Sequence, residues 1–322
     1  MWTRDLGYRP WQGKTVPAGF RWSVVALTGI RLAWRSRWVR RVLLLAWAPA
    51  LYCGVGIFFF ENAVKQGTLQ PVTFFLRPYA EVVPELERIS IALSQHDHAL
   101  ARHRFWAWVL WLFFRHPQGF MLIILVGVIA PDLIARDLRS RAYLIYFSRP
   151  LTAWEYLCGK SAVLWFYLSL ITFAPAVTLY LIGVFLSPDL SVVKHTWDLP
   201  FRIAVASVVL ILPTSCLALC FSSLTTESRY AAFAWYAVCF GGWIAYVALS
   251  AADVASGPFV AAPLASRWAF VSLYHSLGQV QNGIFGLQDY SDALPAYSLG
   301  LATLTLVSLA IVHRRVLAPL RV

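Results

Sequence analysis

Charged residues are scarce in this sequence. Only 13% of its 322 residues are Asp, Glu, Lys or Arg, whereas 59% are hydrophobic. A soluble domain of this length could not bury so much apolar surface, since its exterior needs polar side chains. The composition therefore excludes an ordinary soluble domain and indicates that water is not the main solvent of this protein.

Cysteine is also sparse and forms no recognised motif. The five cysteines lie in or beside apolar runs, and none belongs to a CxxC pair. This pattern argues against a disulfide framework or a zinc ribbon. Cys216 and Cys220 share one helix face, and we interpret them as buried structural thiols.

The sequence also lacks a Walker-type GxxxxGK[ST] motif, so any ATP hydrolysis would have to come from another polypeptide.

The amino-terminal segment, residues 1–41, is strongly basic. Because nine basic side chains precede the first long apolar run, we expect no cleavable signal peptide and assign this segment to the cytoplasm. Within it, residues 21–38 predict an amphipathic helix, since Trp22, Ala26, Ile30 and Trp34 recur every four residues. Such a helix would lie along the membrane surface, although a solvated basic linker is the alternative.

Five uncharged runs approach the length of about 20 residues that a membrane-spanning helix needs. They comprise residues 42–60, 161–186, 203–224, 230–252 and 293–312. A sixth crossing is expected at 119–134, while the Trp-rich stretch 105–114 is predicted to lie in the membrane interface. The sequence therefore predicts an all-α polytopic membrane protein in which residues 42–322 form a single six-span domain.

Two regions between these spans need separate assignments. Residues 61–104 are expected to form an external loop containing a short surface helix near 81–88. The segment 254–290 includes a further uncharged stretch, but its glycine, glutamine and asparagine content suits a re-entrant or interfacial segment better than a seventh crossing. An even number of crossings also places the basic carboxyl terminus on the same side as the basic amino terminus.

The distribution of charge predicts the orientation. With six spans, 18 of the 27 basic residues and five of the 15 acidic residues fall on one side, which therefore carries +13 against −1 opposite. Basic residues collect in cytoplasmic loops. Both termini and the loop at residues 136–160 are accordingly expected in the cytoplasm, and we expect an integral protein of a bacterial inner membrane.

The loop at 136–160 has the most distinctive sequence in the chain. Pro150 predicts a break in the helix at the residue before it, and Thr152 with Glu155 has the pattern of a capping box that begins the third span. Arginine and aromatic residues in such a projecting loop are typical of a protein contact, although a loop resting on the membrane surface would look similar.

The run YFSRPLTAWEYLCGK, preceded by an acidic residue at the inner end of the second span and an arginine-bearing helix, resembles the permease subunit of ABC-2 type transporters. The similar pattern in that family is "sRPlsr.eyllGK". The six spans, the amphipathic helix before the first span and the semi-apolar segment before the last span resemble the family as well.

This resemblance implies a non-enzymatic transport subunit that pairs with a second copy or a sister permease and docks on cytoplasmic ABC ATPase subunits, which bind ATP and Mg. The loop would supply a coupling helix at the ATPase. The residues implied at or near that contact are Asp137, Arg139, Arg141, Tyr146, Arg149, Pro150 and Glu155, with Glu227 and Arg229 as lesser candidates. Membrane lipids are expected around the spans; a nucleic-acid partner is not expected, and the chain itself is expected to bind no cofactor.

Other constellations of residues are weaker. His96, His98 and His103 could gather a metal ion on the outer face, but their spacing matches no strong ligand pattern, so we expect no metal site. A membrane anchor or assembly subunit that recruits an enzyme without transport is the alternative function. An intramembrane enzyme or ion-coupled carrier lacks the paired acids or nucleophile that it would need.

Overall fold

The computed structural model describes residues 17–66, 84–95, 97–142, 151–187, 191–254, 267–287 and 294–317. All regular structure within these ranges is helical, with no β-strand. Six of the described helices are long and apolar enough to cross a membrane. The predictions of an all-α fold and of six spans are confirmed, and the chain is an integral membrane protein by this measure.

The helices follow one another in a simple order. They are α1 (Arg21–Trp34), α2 (Arg37–Gln66), α3 (Pro84–Ser94), α4 (His98–Phe113), α5 (Gly119–Arg139), α6 (Ala153–Ile171), α7 (Phe173–Leu186), α8 (Ser191–His195), α9 (Leu199–Leu224), α10 (Ser228–Val254), α11 (Leu273–Phe285) and α12 (Leu294–Leu317). Span one is α2, span two is α4 with α5, span three is α6 with α7, and spans four, five and six are α9, α10 and α12.

Span two differs from its prediction. A π-helical segment, Phe114–Gln118, joins α4 to α5, so that residues 98–139 form one uninterrupted helix. The stretch 105–114 is part of this helix and includes the fully buried Trp106 and Phe113, so the prediction that it is separate from the crossing helix is wrong. The π segment accommodates Pro117, which cannot donate a backbone hydrogen bond, without breaking the helix.

Span four occupies the centre of the bundle. Helix α9 packs against spans two, three, five and six and against the short helix α11. Its buried face includes small or hydroxyl-bearing residues such as Ser207, Thr214 and Ser222, which allow neighbouring helices to approach closely. Movement of span four would therefore be transmitted to most of the other helices.

Helix α1 confirms the predicted amphipathic helix but is shorter, since it ends at Trp34 and α2 begins at Arg37. It packs against the first half of span three. The Tyr167 hydroxyl donates a hydrogen bond of 2.7 Å to the carbonyl of Ile30, and Gly29 lies against Val163. The predicted membrane-surface position of α1 is not tested by these contacts, but its attachment to span three is clear.

The segment before span six contains α11, a helix of 13 residues. At 1.5 Å per residue it is about 20 Å long, which is shorter than the hydrocarbon core of about 30 Å. Ser272 accepts a hydrogen bond from the His275 backbone at its start, and Gly286, with a φ of 68°, ends it in the left-handed conformation. Helix α11 is not a seventh crossing, although most of its residues are buried in the bundle.

We call the end of the bundle near Glu61 the outer end and the end near Arg139 the inner end, as the charge distribution predicts. The segment after span one contains the predicted short helix, α3, whose Leu86 and Ile89 are buried. The polar loop begins later than predicted, because α2 continues to Gln66. Glu61 is only 1% exposed and is therefore part of the packed end of span one.

Candidate functional site

The inner end of span two carries the first predicted contact residues. The carboxylate of Asp137 lies 2.7 Å from the ammonium of Lys160 and accepts a hydrogen bond of 2.8 Å from the Tyr156 hydroxyl. Both charged side chains are mostly buried, so neither charge is well solvated. Asp137 therefore holds span two to the beginning of span three, which leaves its carboxylate engaged inside the protein.

The two predicted contact loops are joined by a second ion pair. A guanidinium nitrogen of Arg139 lies 3.1 Å from a carboxylate oxygen of Glu227. Glu227 belongs to the short connection between spans four and five, where its backbone N–H donates to the Thr225 hydroxyl. This pair is more exposed than the Asp137–Lys160 pair, and its contribution to stability is therefore smaller.

Ser222 provides a third connection at this end of the bundle. Its hydroxyl oxygen accepts hydrogen bonds of 3.1 Å from the backbone N–H groups of Ile134 and Ala135, and it donates to the carbonyl of Pro131. A hydroxyl from span four therefore bonds to the backbone of α5 within the turn that follows Pro131. The last two turns of span two are thus fixed to span four.

The start of span three matches its predicted pattern. The Thr152 hydroxyl accepts a hydrogen bond from the Glu155 backbone at 3.2 Å, and the Glu155 carboxylate accepts from the Thr152 backbone at 2.8 Å. The predicted capping box is confirmed. Glu155 therefore has a local structural role whether or not it also touches a partner.

The remaining predicted contact residues are either exposed or outside the described ranges. Arg141 and Arg229 are exposed, and Arg141 turns the chain after span two with a φ of 53°. Span two ends as a helix at Arg139. Tyr146, Arg149 and Pro150 lie outside the described residues.

On the outer face, the predicted histidines do not come together as a metal site in the described chain. The His103 imidazole lies 3.0 Å from a carboxylate oxygen of Asp198, to which Arg202 also donates at 2.6 Å. Burial alone would raise the pKa of Asp198, but His103 and Arg202 outweigh that effect and lower it. His98 is exposed, His96 lies outside the described residues, and no group of three potential metal ligands occurs within the described ranges.

A buried polar cluster lies next to this outer surface. The Glu61 carboxylate accepts hydrogen bonds from Trp106 at 3.0 Å and from Ser187 at 3.3 Å, and it lies 3.1 Å from the guanidinium of Arg102. These contacts join the outer ends of spans one, two and three. The sequence predicts Glu61 and Arg102 in the external loop 61–104, whereas in the structure both are part of the bundle.

The interior of the bundle contains a cation from the segment between the stretches 105–114 and 119–134. Arg115, in the π segment, is 4% exposed, and its guanidinium lies 3.8 Å from the centre of the Tyr274 ring. It donates a hydrogen bond to the Tyr274 carbonyl, and the Tyr274 hydroxyl donates to the Arg115 carbonyl at 2.9 Å. These reciprocal contacts join span two to the short helix α11.

A narrow cavity opens beside this arginine. Span two, span four, span five and the short helix α11 all contribute to its wall, so it lies between the helices that surround α9. The wall consists mainly of apolar side chains, together with three polar ones that project from different helices, Arg115, Thr214 and Gln281. The cavity has a volume of about 20 Å³, which is enough for a water molecule or a small part of a ligand. A larger ligand would require the surrounding helices to move apart.

No protein-family model matches the sequence, and no curated protein matches it either. The two candidate sites therefore rest on their geometry. They are the inner junction of spans two to five, held by Asp137, Arg139 and Ser222, and the cavity beside Arg115. The first site is suited to transmit force and the second to hold a ligand.

Proposed function

We propose that this chain is the membrane-spanning permease subunit of an ATP-driven transporter of the ABC-2 type. Its termini and its loop at 136–160 lie on the cytoplasmic side of a bacterial inner membrane. Two permease subunits, identical copies or sisters, dock on ATPase subunits that bind ATP and Mg. The permease itself performs no hydrolysis and moves its substrate as the ATPases close and open.

One structural observation carries this proposal. The exposed arginines at the end of span two stand on a junction that connects spans two, three, four and five through the Asp137–Lys160 pair, the Arg139–Glu227 pair and Ser222. A force applied to this end by a partner would move several spans together rather than deform one loop. A rigid junction of this kind is what mechanical coupling to an ATPase requires.

The proposal also agrees with the composition of the chain. The side assigned to the cytoplasm carries most of the basic residues, and the run that includes Arg149 and Pro150 resembles the ABC-2 coupling motif. The sequence contains no Walker-type motif, which agrees with ATP hydrolysis by partner subunits.

The decisive experiment is purification of the tagged chain from its native membranes in mild detergent. We expect a Walker-motif ATPase to be recovered with it, and vanadate-sensitive ATP hydrolysis in the complex. Arg149→Glu should reduce recovery of the ATPase at least several-fold, because it reverses charge in the proposed contact. Arg314→Glu, at the exposed basic end of span six, is the matched control and should leave recovery unchanged.

Two other results would count against the proposal. Recovery of no ATPase under conditions that keep the chain folded would contradict the proposal. A stable complex in which nucleotide changes neither protease sensitivity nor inter-span crosslinking would instead identify a membrane anchor or assembly subunit.

A further inference from the structure

Arg115 lies deep within the longest candidate span. It follows His98 by 17 residues and precedes Arg139 by 24 residues, which correspond to about 26 Å and about 36 Å of helix at 1.5 Å per residue. Its side chain is almost completely removed from solvent. A cation held within a membrane-spanning helix is energetically unfavourable, and such residues commonly mark the path of a substrate or ion.

The protein compensates this charge only in part. Tyr274 provides a carbonyl acceptor and an aromatic face, but the described residues provide no carboxylate within ion-pair distance of Arg115. Arginine has five N–H donors, and one described hydrogen bond satisfies one of them. Elsewhere in the described bundle, buried basic groups such as Arg102 and Lys160 do have carboxylate partners. Arg115 is therefore the exception among these deeply placed cations.

A second buried donor faces the same cavity. Gln281 is 2% exposed and lines the cavity with Arg115, and its side-chain NH₂ group has no hydrogen-bond partner among the described residues. A buried donor without an acceptor is unfavourable by itself. Gln281 comes from helix α11 and Arg115 from span two, so two separate elements place donor-bearing side chains at one space.

The guanidinium position is built into the packing of α11. A side chain at Gly278 would overlap the Arg115 guanidinium, and a side chain at Gly119 would lie 2.9 Å from the Tyr274 ring. Only residues without a Cβ leave room for the stacked pair at both places. The arginine is thus accommodated by its neighbours on both sides rather than squeezed into an accidental gap.

We propose that this cavity binds an oxyanion, a carboxylate or phosphate group, of the molecule that the transporter moves. Arg115 binds the negative oxygens, and the Gln281 amide donates an additional hydrogen bond. The apolar remainder of the wall, which includes Leu122, Leu210 and Trp235, suits a hydrocarbon portion attached to the anionic group. The substrate assignment rests on the proposed transport function, whereas oxyanion binding itself does not need an ATPase.

Binding is therefore measured on the purified permease without ATPase or nucleotide. The probes are octanoate, octyl phosphate, inorganic phosphate, octanol and octylammonium, and each is titrated while the thermal unfolding midpoint is recorded. A ligand that binds only the folded state raises this midpoint in a concentration-dependent way. We expect octanoate or octyl phosphate, or both, to raise it more than octanol, and octylammonium to give no such increment.

The variants test whether this rise in the unfolding midpoint is caused by binding in the cavity. Arg115→Gln should weaken oxyanion binding about tenfold or more, as expected for loss of a charge-assisted contact. Gln281→Leu should weaken it less, and Gly278→Ala should weaken it by displacing the guanidinium while the charge is retained. Arg40→Gln removes an exposed arginine near the start of span one and should leave binding unchanged.

The outcomes separate the two proposals. An increment for inorganic phosphate alone would assign the site to a small anion, and this would overturn the inference that a hydrocarbon-bearing substrate occupies it. The site would be overturned if no anionic probe raised the unfolding midpoint of the wild type. It would also be overturned if Gln281→Leu, Gly278→Ala and a folded Arg115→Gln all showed the same anion-dependent rise as the wild type. Failure to find an ATPase would affect the transport proposal but none of these binding results.

Discussion

The Asp137 carboxylate and the Lys160 ammonium lie 2.7 Å apart and connect the inner end of span two to the beginning of span three. Both side chains are largely buried, and Tyr156 satisfies the same carboxylate oxygen. Lys160→Met should therefore destabilise the protein by about 2–4 kcal/mol, because it leaves a poorly solvated carboxylate with only a phenol partner. Detergent unfolding by heat or SDS would measure the loss.

The double variant Asp137→Asn with Lys160→Met should recover most of that stability, since it removes both charges together. Arg139→Gln provides the matched control, because its pair with Glu227 is exposed, and it should change the free energy of unfolding by less than about 1 kcal/mol. A double variant no more stable than Lys160→Met alone would show that the ion pair is not the source of the effect.

Ser222 is expected to matter more than its size indicates. Ser222→Ala removes an acceptor from the backbone of Ile134 and Ala135 and a donor from Pro131. Because these groups are buried, the loss should be about 1–3 kcal/mol. Amide hydrogen exchange at residues 131–139 should also accelerate.

Ser140→Ala is the control for this substitution, since Ser140 is exposed and bonds only within its own helix turn. Its effect on unfolding and on exchange should be small. Equal exchange rates in Ser222→Ala and the wild type would mean that span four does not hold the end of span two.

A local rule predicted the start of span three. The capping box at Thr152 and Glu155 depends on residues three positions apart, so it is visible in the sequence. The six spans follow from the length of apolar runs for the same reason. Charge pairs such as Asp137 with Lys160 join residues on different helices, and their pairing cannot be read from either helix alone.

Span two shows where a local rule failed. Arg115 and Pro117 within an apolar stretch predict a break, because a lipid-facing helix would tolerate neither residue well. The structure keeps the helix intact, since Tyr274 from helix α11 covers the arginine and the π segment accommodates the proline. A signal was nevertheless present, as residues 105–134 together are long enough to cross a membrane, and a charge inside such a length is itself a mark of function.

Glu61 should be essential for packing at the outer end of spans one to three. Glu61→Leu leaves the Trp106 indole N–H and the Arg102 guanidinium without their carboxylate partner, and we expect a loss of about 2–4 kcal/mol. Glu61→Gln retains an acceptor for Trp106 and should lose less. Thermal unfolding in detergent would rank the two variants, and equal losses would contradict the assigned hydrogen bond.

The outer His103–Asp198–Arg202 cluster predicts a dependence of stability on pH. The pKa of Asp198 is lowered in the folded state, since His103 and Arg202 outweigh the opposing effect of burial. A lowered carboxyl pKa means that the folded state binds this proton less readily than the unfolded state. The resulting stabilisation is present above the pKa of the unfolded state and is lost as the pH falls through the folded pKa.

Asp198→Asn should therefore lower stability at pH 7, and this effect should decrease as the pH falls below the pKa of the unfolded state. Unfolding midpoints of the wild type and the variant would be compared from pH 7 downward, and the two curves should approach each other in the acidic range. Arg202 also donates to the Ile284 carbonyl near the end of helix α11, so the same variant should loosen that helix at neutral pH. A constant difference between the curves at all pH values would mean that Asp198 acts through its shape and hydrogen bonding, and not through its charge.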